Sequence, residues 1–140
     1  MKFKTLSGRE VRIQVSPSNF PLRTREACRS NGQYILGTLL QSIYGNHCLI
    51  LEEFSIPETK LAIDFYLPHH GLAFEFQGQQ HDSFNAHFHI DKDGFNKQRN
   101  RDERKKNWCK INSINLIEIR QSELEIEALK SKIIISRESI

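Results

Sequence analysis

Two acidic residues lie in a short segment whose spacing could support metal chemistry. The segment LAIDFYLPHHGLAFEFQGQQH alternates in character on each side of residues 68–71, which is typical of two strands joined by a short turn. Such a turn sets Leu67 opposite Leu72. The same register places Asp64 opposite Glu75, with Cβ atoms about 5 Å apart, where two carboxylates repel each other unless a cation compensates. The pattern therefore predicts a site for a hard divalent cation.

The same register sorts the side chains of the two strands onto two faces. The apolar face would consist of Ile63, Phe65, Phe74 and Phe76. The other face would carry both acids and Gln77, with alanines beside them that leave room for a ligand. A half-buried hairpin with a solvated polar face is the alternative interpretation.

Length and composition limit the class of protein. The chain has 140 residues, which is about one domain. No run approaches the roughly 18 apolar residues of a membrane span, and the N-terminus lacks the apolar stretch of a signal peptide. Cys28, Cys48 and Cys109 are odd in number and far apart, which favours reduced thiols over disulfides or a zinc pair. We therefore expect a cytoplasmic protein that does not bind a membrane.

Charge is distributed unevenly along the chain. The net charge of +3 is only mildly basic, but cations crowd into residues 92–110. A cationic segment beside a carboxylate site suits a phosphodiester substrate, because neutralised phosphates supply much of the affinity for nucleic acid. A solvated helix face is the alternative interpretation. The side chains expected to grip the phosphate backbone are Lys97, Arg99, Arg101, Arg104 and Lys105.

Local patterns predict the elements that must position these residues. KFKTLSGREVRIQV predicts an N-terminal hairpin, an appendage within residues 1–20 that could contact DNA. A helix is predicted from Ser30, its N-cap, to about Tyr44, and CLILEEF predicts a strand. The central hairpin follows, then a helix over about 94–111 and a strand over 115–120. The order helix, three antiparallel strands, helix and strand predicts an α/β domain over residues 21–140.

Asp102 is the residue through which the second predicted helix could contribute to the site. It lies seven residues from both Phe95 and Cys109, a spacing that places all three on one stripe of the helix, so it should face inward. A buried acid usually has a partner or a metal. The alternative is a local ion pair with Lys105 or Lys106, three and four residues further along the helix.

Three segments of the chain, read together, resemble a known family. IDFYLP, FEFQGQQH and NRDERKKNWCKINSINLIEI resemble the PD-(D/E)XK nuclease superfamily, over roughly residues 30–119. They are most similar to very-short-patch repair endonucleases and to the EDxHD group of phage homing endonucleases. The resemblance implies a restriction-endonuclease-like core and a Mg²⁺-dependent cut in double-stranded DNA. It also implies Asp64 as the central metal ligand, His81 as the motif's histidine and Asp102 as its final acid.

Two glutamines depart from the family pattern. Gln77 stands where the superfamily often has a lysine, which makes His81 the better candidate for proton transfer; a loop histidine without a chemical role is the alternative. Gln33 stands where related sequences place a glutamate. One hypothesis is an engineered glutamate-to-glutamine change that traps uncut DNA. A natural variant with weak activity, and a capping box with Ser30, are the alternatives.

The family comparison also bears on cofactors and assembly. The repair enzymes share a structural zinc site, but its cysteines are missing around His87 and His89, so we predict no zinc. We expect a phage-type homing endonuclease of the host-cell cytoplasm. A catalytically silent DNA-binding domain of the same fold, and a nuclease for repair, branched DNA or RNA, are the alternatives. Cutting both strands with one site would require a homodimer or sequential nicks.

Overall fold

The computed structural model describes residues 1–78 and 92–138. These residues form a mixed α/β structure with an N-terminal hairpin, in the predicted order of elements. Short 3₁₀ turns follow the first helix and the last strand. The elements are β1 (Lys2–Lys4), β2 (Glu10–Arg12), α1 (Asn31–Tyr44), β3 (Leu51–Ser55), β4 (Ala62–Leu67), β5 (Leu72–Gln77), α2 (Lys92–Ile111), β6 (Asn115–Arg120) and α3 (Ile126–Glu138).

A four-stranded mixed sheet organises the chain. Its strand order is β3-β4-β5-β6, with β4 antiparallel to both β3 and β5, and β6 parallel to β5. Parallel neighbours need a long crossover, and α2 is part of that connection. Between β4 and β5, Leu67 pairs with Leu72 and Phe65 with Phe74, so the predicted register is confirmed.

Helices and the hairpin cover both faces of this sheet. On one face, α1 and α3 pack through Leu36, Leu40, Leu129 and Ile133. The opposite face packs against Trp108 of α2. The alternative interpretation, a half-buried hairpin with one solvated face, is therefore wrong. None of the helices in the described part of the chain is long and apolar enough to cross a membrane.

Side-chain alternation along β4 breaks at Asp64. Ile63 packs in the core cluster of Trp108, whereas Phe65 packs in the cluster of α1. The prediction that Ile63 shares one apolar face with Phe65 is therefore wrong. Along the β3/β4 register, the residue opposite Asp64 is Glu53, whose φ of 51° lies in the left-handed region. The backbone thus departs from regular strand geometry at this rung, which lets the side chains change sides.

The N-terminal hairpin packs into the core. Phe3 is 3% exposed, and its ring centroid lies 5.5 Å from that of Trp108 and 5.7 Å from that of Phe54. Asn112, just beyond α2, accepts a hydrogen bond from the Lys4 amide at 2.7 Å and donates one to its carbonyl at 3.0 Å. The hairpin therefore shares its core with the rest of the chain, while the domain boundary at residue 20 stays a prediction.

Gly32 lets α1 approach β5 closely. A Cβ atom at this position would lie 2.1 Å from the Phe76 ring, so Gly32→Ala must displace that ring. We expect a loss of about 1–3 kcal/mol in the free energy of unfolding, as for other overpacked cores. Urea denaturation would measure it, with Ser42→Ala on the exposed side of the same helix as control. Equal stability of the two variants would contradict the close packing.

Candidate active site

Asp64 and Glu75 lie side by side on β4 and β5. The Asp64 amide donates to Glu75 Oε2 at 2.7 Å, and the Phe76 amide donates to Asp64 Oδ2 at 2.7 Å. Each carboxylate thus takes a backbone donor of the neighbouring strand, where regular ladder bonds give way. The structure brings the two acids together as the register predicted.

Burial opposes charge on both acids. Asp64 is 7% exposed and Glu75 is 5% exposed. Burial, followed by repulsion from Glu75, raises the pKa of Asp64 well above its usual value. Burial also raises the pKa of Glu75, although the neighbouring Lys105 opposes the shift. The pair therefore favours a bound cation or a proton over two free negative charges.

Lys105 of α2 reaches into the acidic pair. Its Nζ lies 2.7 Å from Glu75 Oε1, and its side chain is 13% exposed. We predicted from the sequence that Lys105 contacts the phosphate backbone, and the structure places its ammonium beside the acids. The site therefore contains an ammonium group, although Gln77 supplies none.

The acids line a cleft of about 530 Å³. Its walls include residues of α1, β4, β5 and α2. The predicted His81 lies outside the described residues, as do His87 and His89. All the other predicted catalytic residues line the cleft, namely Gln33, Asp64, Glu75, Gln77 and Asp102, together with Arg29 and Lys105.

Asp102 precedes Lys105 by three residues in α2, so the two side chains lie on the same side of the helix. It is half-buried, and Gln98 Nε2 donates to its Oδ1 at 3.1 Å. The alternative of a local ion pair is wrong, because Lys105 pairs with the acid of β5 and Lys106 pairs with Glu118 at 3.3 Å. Cys109, on the same stripe, is 1% exposed, so the predicted inward stripe is confirmed there.

Gln33 sits in the first turn of α1 and is 4% exposed. Its backbone amide donates to Ser30 Oγ at 3.1 Å, which confirms Ser30 as the N-cap. Its side-chain Nε2 donates to Glu52 Oε2 at 2.8 Å and to Glu53 Oε2 at 3.3 Å. The side chain therefore does not complete the predicted capping box, because it faces β3 instead of the helix start.

The oxygen donors of the cleft suit a small hard cation. Among residues 1–78 and 92–138, no group of three or more His, Cys, Asp or Glu side chains is arranged to hold a metal ion. Mg²⁺, however, is usually bound by one or two carboxylates and keeps several water molecules. Asp64 and Glu75, both buried and both with raised pKa, fit that requirement.

The other predicted DNA contacts are exposed on α2. Arg101 and Arg104 line a second, shallow groove of about 600 Å³ with Lys60, apart from the cleft. Lys97 and Arg99 are exposed as well. The exposed cations of α2 therefore point to more than one side of the helix.

Three polar residues near the acids are not marked by any motif in the sequence. Arg29 lines the cleft, and Glu52 and Glu53 hold the Gln33 amide. No sequence pattern marks Glu53, since its position depends on a left-handed φ. The position of Lys105 did have a signal, because a residue three places after an inward-facing Asp102 lies on the same stripe.

Comparisons with known proteins give viral relatives. The chain is 44% identical over 59 residues to "Uncharacterized protein 307L" of Invertebrate iridescent virus 6, covering 42% of this chain and 30% of that protein. It is 41% identical over 64 residues to "Uncharacterized protein 033L" of Invertebrate iridescent virus 3, covering 46% and 33%. The chain thus spans about a third of the length of these curated relatives. No protein-family model matches the chain, and no solved structure matches it.

Proposed function

We propose that this protein is a Mg²⁺-dependent endonuclease that cuts or nicks double-stranded DNA by phosphodiester hydrolysis. The observation that carries the proposal is the buried Asp64–Glu75 pair lining an open cleft. Buried acids that repel each other weaken a fold, and groups with perturbed pKa values in a cleft mark functional sites. A bound cation beside a phosphate would use both acids and relieve their repulsion.

The element order supports a restriction-endonuclease-like core. The mixed sheet has α1 before it and α2 in its crossover, which is the order implied by the resemblance to PD-(D/E)XK nucleases. The motif residues also lie on the strands and the helix predicted for them, with Asp64 on β4, Glu75 and Gln77 on β5, and Asp102 on α2. This agreement supports our proposal that the chain is related to the very-short-patch repair and EDxHD phage homing endonucleases.

The residues of the cleft divide the chemistry among them. Asp64 and Glu75 would hold Mg²⁺, or Mn²⁺ in its place, and the bound ion supplies Lewis-acid polarisation of the phosphate. Lys105 neutralises Glu75 in the free protein, and its ammonium can stabilise charge that develops on the phosphate. His81 is assigned the proton transfer, since histidine titrates near neutrality. Asp102 would orient His81 or bind water around the ion.

Cations outside the acid pair would position the duplex. Arg29 lines the cleft, and its side chain is 63% exposed although its Nη1 lies 3.4 Å from Glu53. It is therefore free to turn toward a phosphate that enters the cleft. Phosphate contacts of this kind fix register without reading bases, and they weaken as salt rises. The further contacts on α2 are Lys97, Arg99, Arg101 and Arg104.

Strand-resolved cleavage tests the proposal. The purified chain is incubated with a supercoiled plasmid and a pool of end-labelled duplexes, in Mg²⁺, Mn²⁺, Ca²⁺ or EDTA. We expect nicked or linear products in Mg²⁺ or Mn²⁺ and none in EDTA, because the acids need the ion to act. Sequencing the product ends gives the preferred site. Products cut on one strand indicate a single nicking site, and paired cuts that rise with protein concentration indicate a homodimer.

A catalytically silent DNA-binding domain is the second candidate. Gln33 and Gln77 favour it, since each replaces a charged residue of the family pattern. In that case the same duplexes would shift on native gels, with affinity that falls with salt, and neither metal would yield products. Binding without cleavage in both Mg²⁺ and Mn²⁺ would therefore overturn the nuclease proposal.

A further inference from the structure

Glu52 is a buried carboxylate of β3 that the proposed chemistry does not use. It is 3% exposed and forms no ion pair with the described residues. Its donors are neutral: the Arg23 amide at 2.7 Å, the Cys28 thiol at 3.1 Å and the Gln33 side-chain amide at 2.8 Å. Burial, followed by the hydrogen bond to Glu52, raises the pKa of Cys28 to about 12, so this thiol keeps its proton at neutral pH.

The Gln33 carboxamide has a defined orientation between Glu52 and the cleft. Its Nε2 donates to both Glu52 and Glu53, and an amide nitrogen has only two protons to give. Its Oε1 accepts no hydrogen bond from a described residue, and it is not among the buried unpaired atoms there. Gln33 lines the cleft while Glu52 does not, and the carbonyl oxygen is the part of the amide that Glu52 and Glu53 leave unused.

We infer that Glu52 is a positioning residue that, with Glu53, fixes the Gln33 amide so that its carbonyl oxygen faces the ligand of the cleft. Position 33 then offers a neutral oxygen beside the acid pair. The inference rests on the proposed function only for the identity of that ligand, Mg²⁺ with its water. The orientation itself is a property of the metal-free protein.

This arrangement bears on why a glutamine occupies position 33. A glutamate there would set a third carboxylate against Glu52 and Glu53, with Asp64 also near Glu53. Like charges at such distances repel strongly in a buried site. The surroundings therefore fit an amide at position 33, which argues against a glutamate site disabled by a single change.

An exchange of the two side chains tests the inference. In Gln33→Glu, we expect a lower Tm in EDTA than in the wild type. In Glu52→Gln, the side chain at position 52 keeps only one of the two oxygens that now accept from Arg23, Cys28 and Gln33, so we expect the Gln33 amide to be held less firmly. The double variant Q33E/E52Q restores one donor and one acceptor, and we expect it to regain most of the lost Tm. Glu26→Gln is the control, because Glu26 is an exposed acid that lines, with Glu52, a groove separate from the cleft.

Two measurements follow position 33 without relying on catalysis. In NMR spectra of the metal-free protein, the Gln33 side-chain amide should exchange slowly, and faster in Glu52→Gln. By titration calorimetry, Glu52→Gln should bind Mg²⁺ at least about tenfold more weakly, as for other residues that orient a metal ligand. The double variant should bind Mg²⁺ at least as tightly as the wild type, since its carboxylate now faces the cleft.

The outcomes separate the inference from the proposed function. Additive Tm changes in the double variant, or unchanged amide exchange in Glu52→Gln, would overturn the positioning role. A wild-type chain that binds no Mg²⁺ would overturn the proposed metal site. The Tm recovery and the amide exchange would still decide the role of Glu52 in that case.

Discussion

Replacing Asp64 with asparagine is expected to abolish Mg²⁺-dependent cleavage of DNA. The change keeps the size of the side chain and removes its charge, so the proposed site loses one of its two carboxylate ligands. Metal ions contribute several kcal/mol to the stabilisation of a transition state, and each tenfold in rate is about 1.4 kcal/mol. We therefore expect the cleavage rate to fall by about 1,000-fold or more on the same duplexes.

The same substitution is expected to stabilise the metal-free protein at pH 8. Burial and Glu75 raise the pKa of Asp64 in the folded state, so the folded protein holds this proton more tightly than the unfolded chain. The contribution of this proton to the free energy of unfolding is present in full below the usual pKa of 3.8. It is lost as the pH rises through the higher pKa of the folded state. The asparagine of Asp64→Asn does not ionise, so the variant does not lose stability in this way. The Asp64→Asn variant should therefore have the higher Tm in EDTA at pH 8, with a difference that shrinks toward about pH 4.

A matched control separates the loss of a ligand from the loss of any charge. Glu103→Gln makes the same kind of change at an exposed acid of α2, and it should keep wild-type cleavage and Tm. Mg²⁺ should raise the Tm of the wild type and of this control, and leave that of Asp64→Asn nearly unchanged. An Asp64→Asn protein that cuts DNA at the wild-type rate would contradict the proposed role.

Local patterns were enough to place the acids. The turn at 68–71 fixed the β4/β5 register, and alternation along two short strands then brought Asp64 to Glu75. Ser30 marked the start of α1 because a serine hydroxyl can accept the N3 amide. These signals are local in sequence, so they can be recognised without knowing the rest of the fold.

Features that depend on the assembled fold could not be predicted in this way. Ile63 changes sides because the backbone is irregular at Glu53, and no residue type there requires a left-handed φ. The hairpin is part of the core only because Phe3 meets Trp108, more than a hundred residues along the chain. Lys105 is one of several cationic residues that are close together in the sequence. Only the packing of α2 on the sheet shows that it is the one that pairs with Glu75.

Replacing Lys105 with methionine is expected to destabilise the metal-free protein as well as to slow cleavage. The ammonium is the cation paired with Glu75 at 2.7 Å, and both side chains are nearly buried. Removing one partner of a buried ion pair costs about 3–5 kcal/mol, because the other charge is left uncompensated. We expect a loss toward the lower end of that range at pH 8 in EDTA. Denaturant unfolding would measure it.

The pH dependence follows from Glu75. Burial raises the pKa of Glu75 and Lys105 opposes that rise, so without the lysine the pKa should rise further. The contribution of the Glu75 proton to the free energy of unfolding is present in full below the usual pKa of 4.5. It is lost as the pH rises through the higher pKa of the folded state. Lys105→Met should therefore lose stability over a wider pH range than the wild type. Its deficit should narrow near about pH 4, where Glu75 carries a proton in both proteins.

Comparison with an exposed lysine decides between a role in the site and a contact to the DNA backbone. If Lys105 only gripped phosphates, Lys105→Met would behave like Lys97→Met, with weaker DNA binding, a smaller salt dependence and an unchanged rate at saturating DNA. If Lys105 acts in the site beside Glu75, Lys105→Met instead lowers the cleavage rate at saturating DNA. Lys105→Arg should then retain stability because it keeps the positive charge. Lys130→Met, on the exposed side of α3, should change neither quantity. Mg²⁺ should also narrow the stability gap between Lys105→Met and the wild type, since an ion held by Asp64 and Glu75 replaces the missing positive charge.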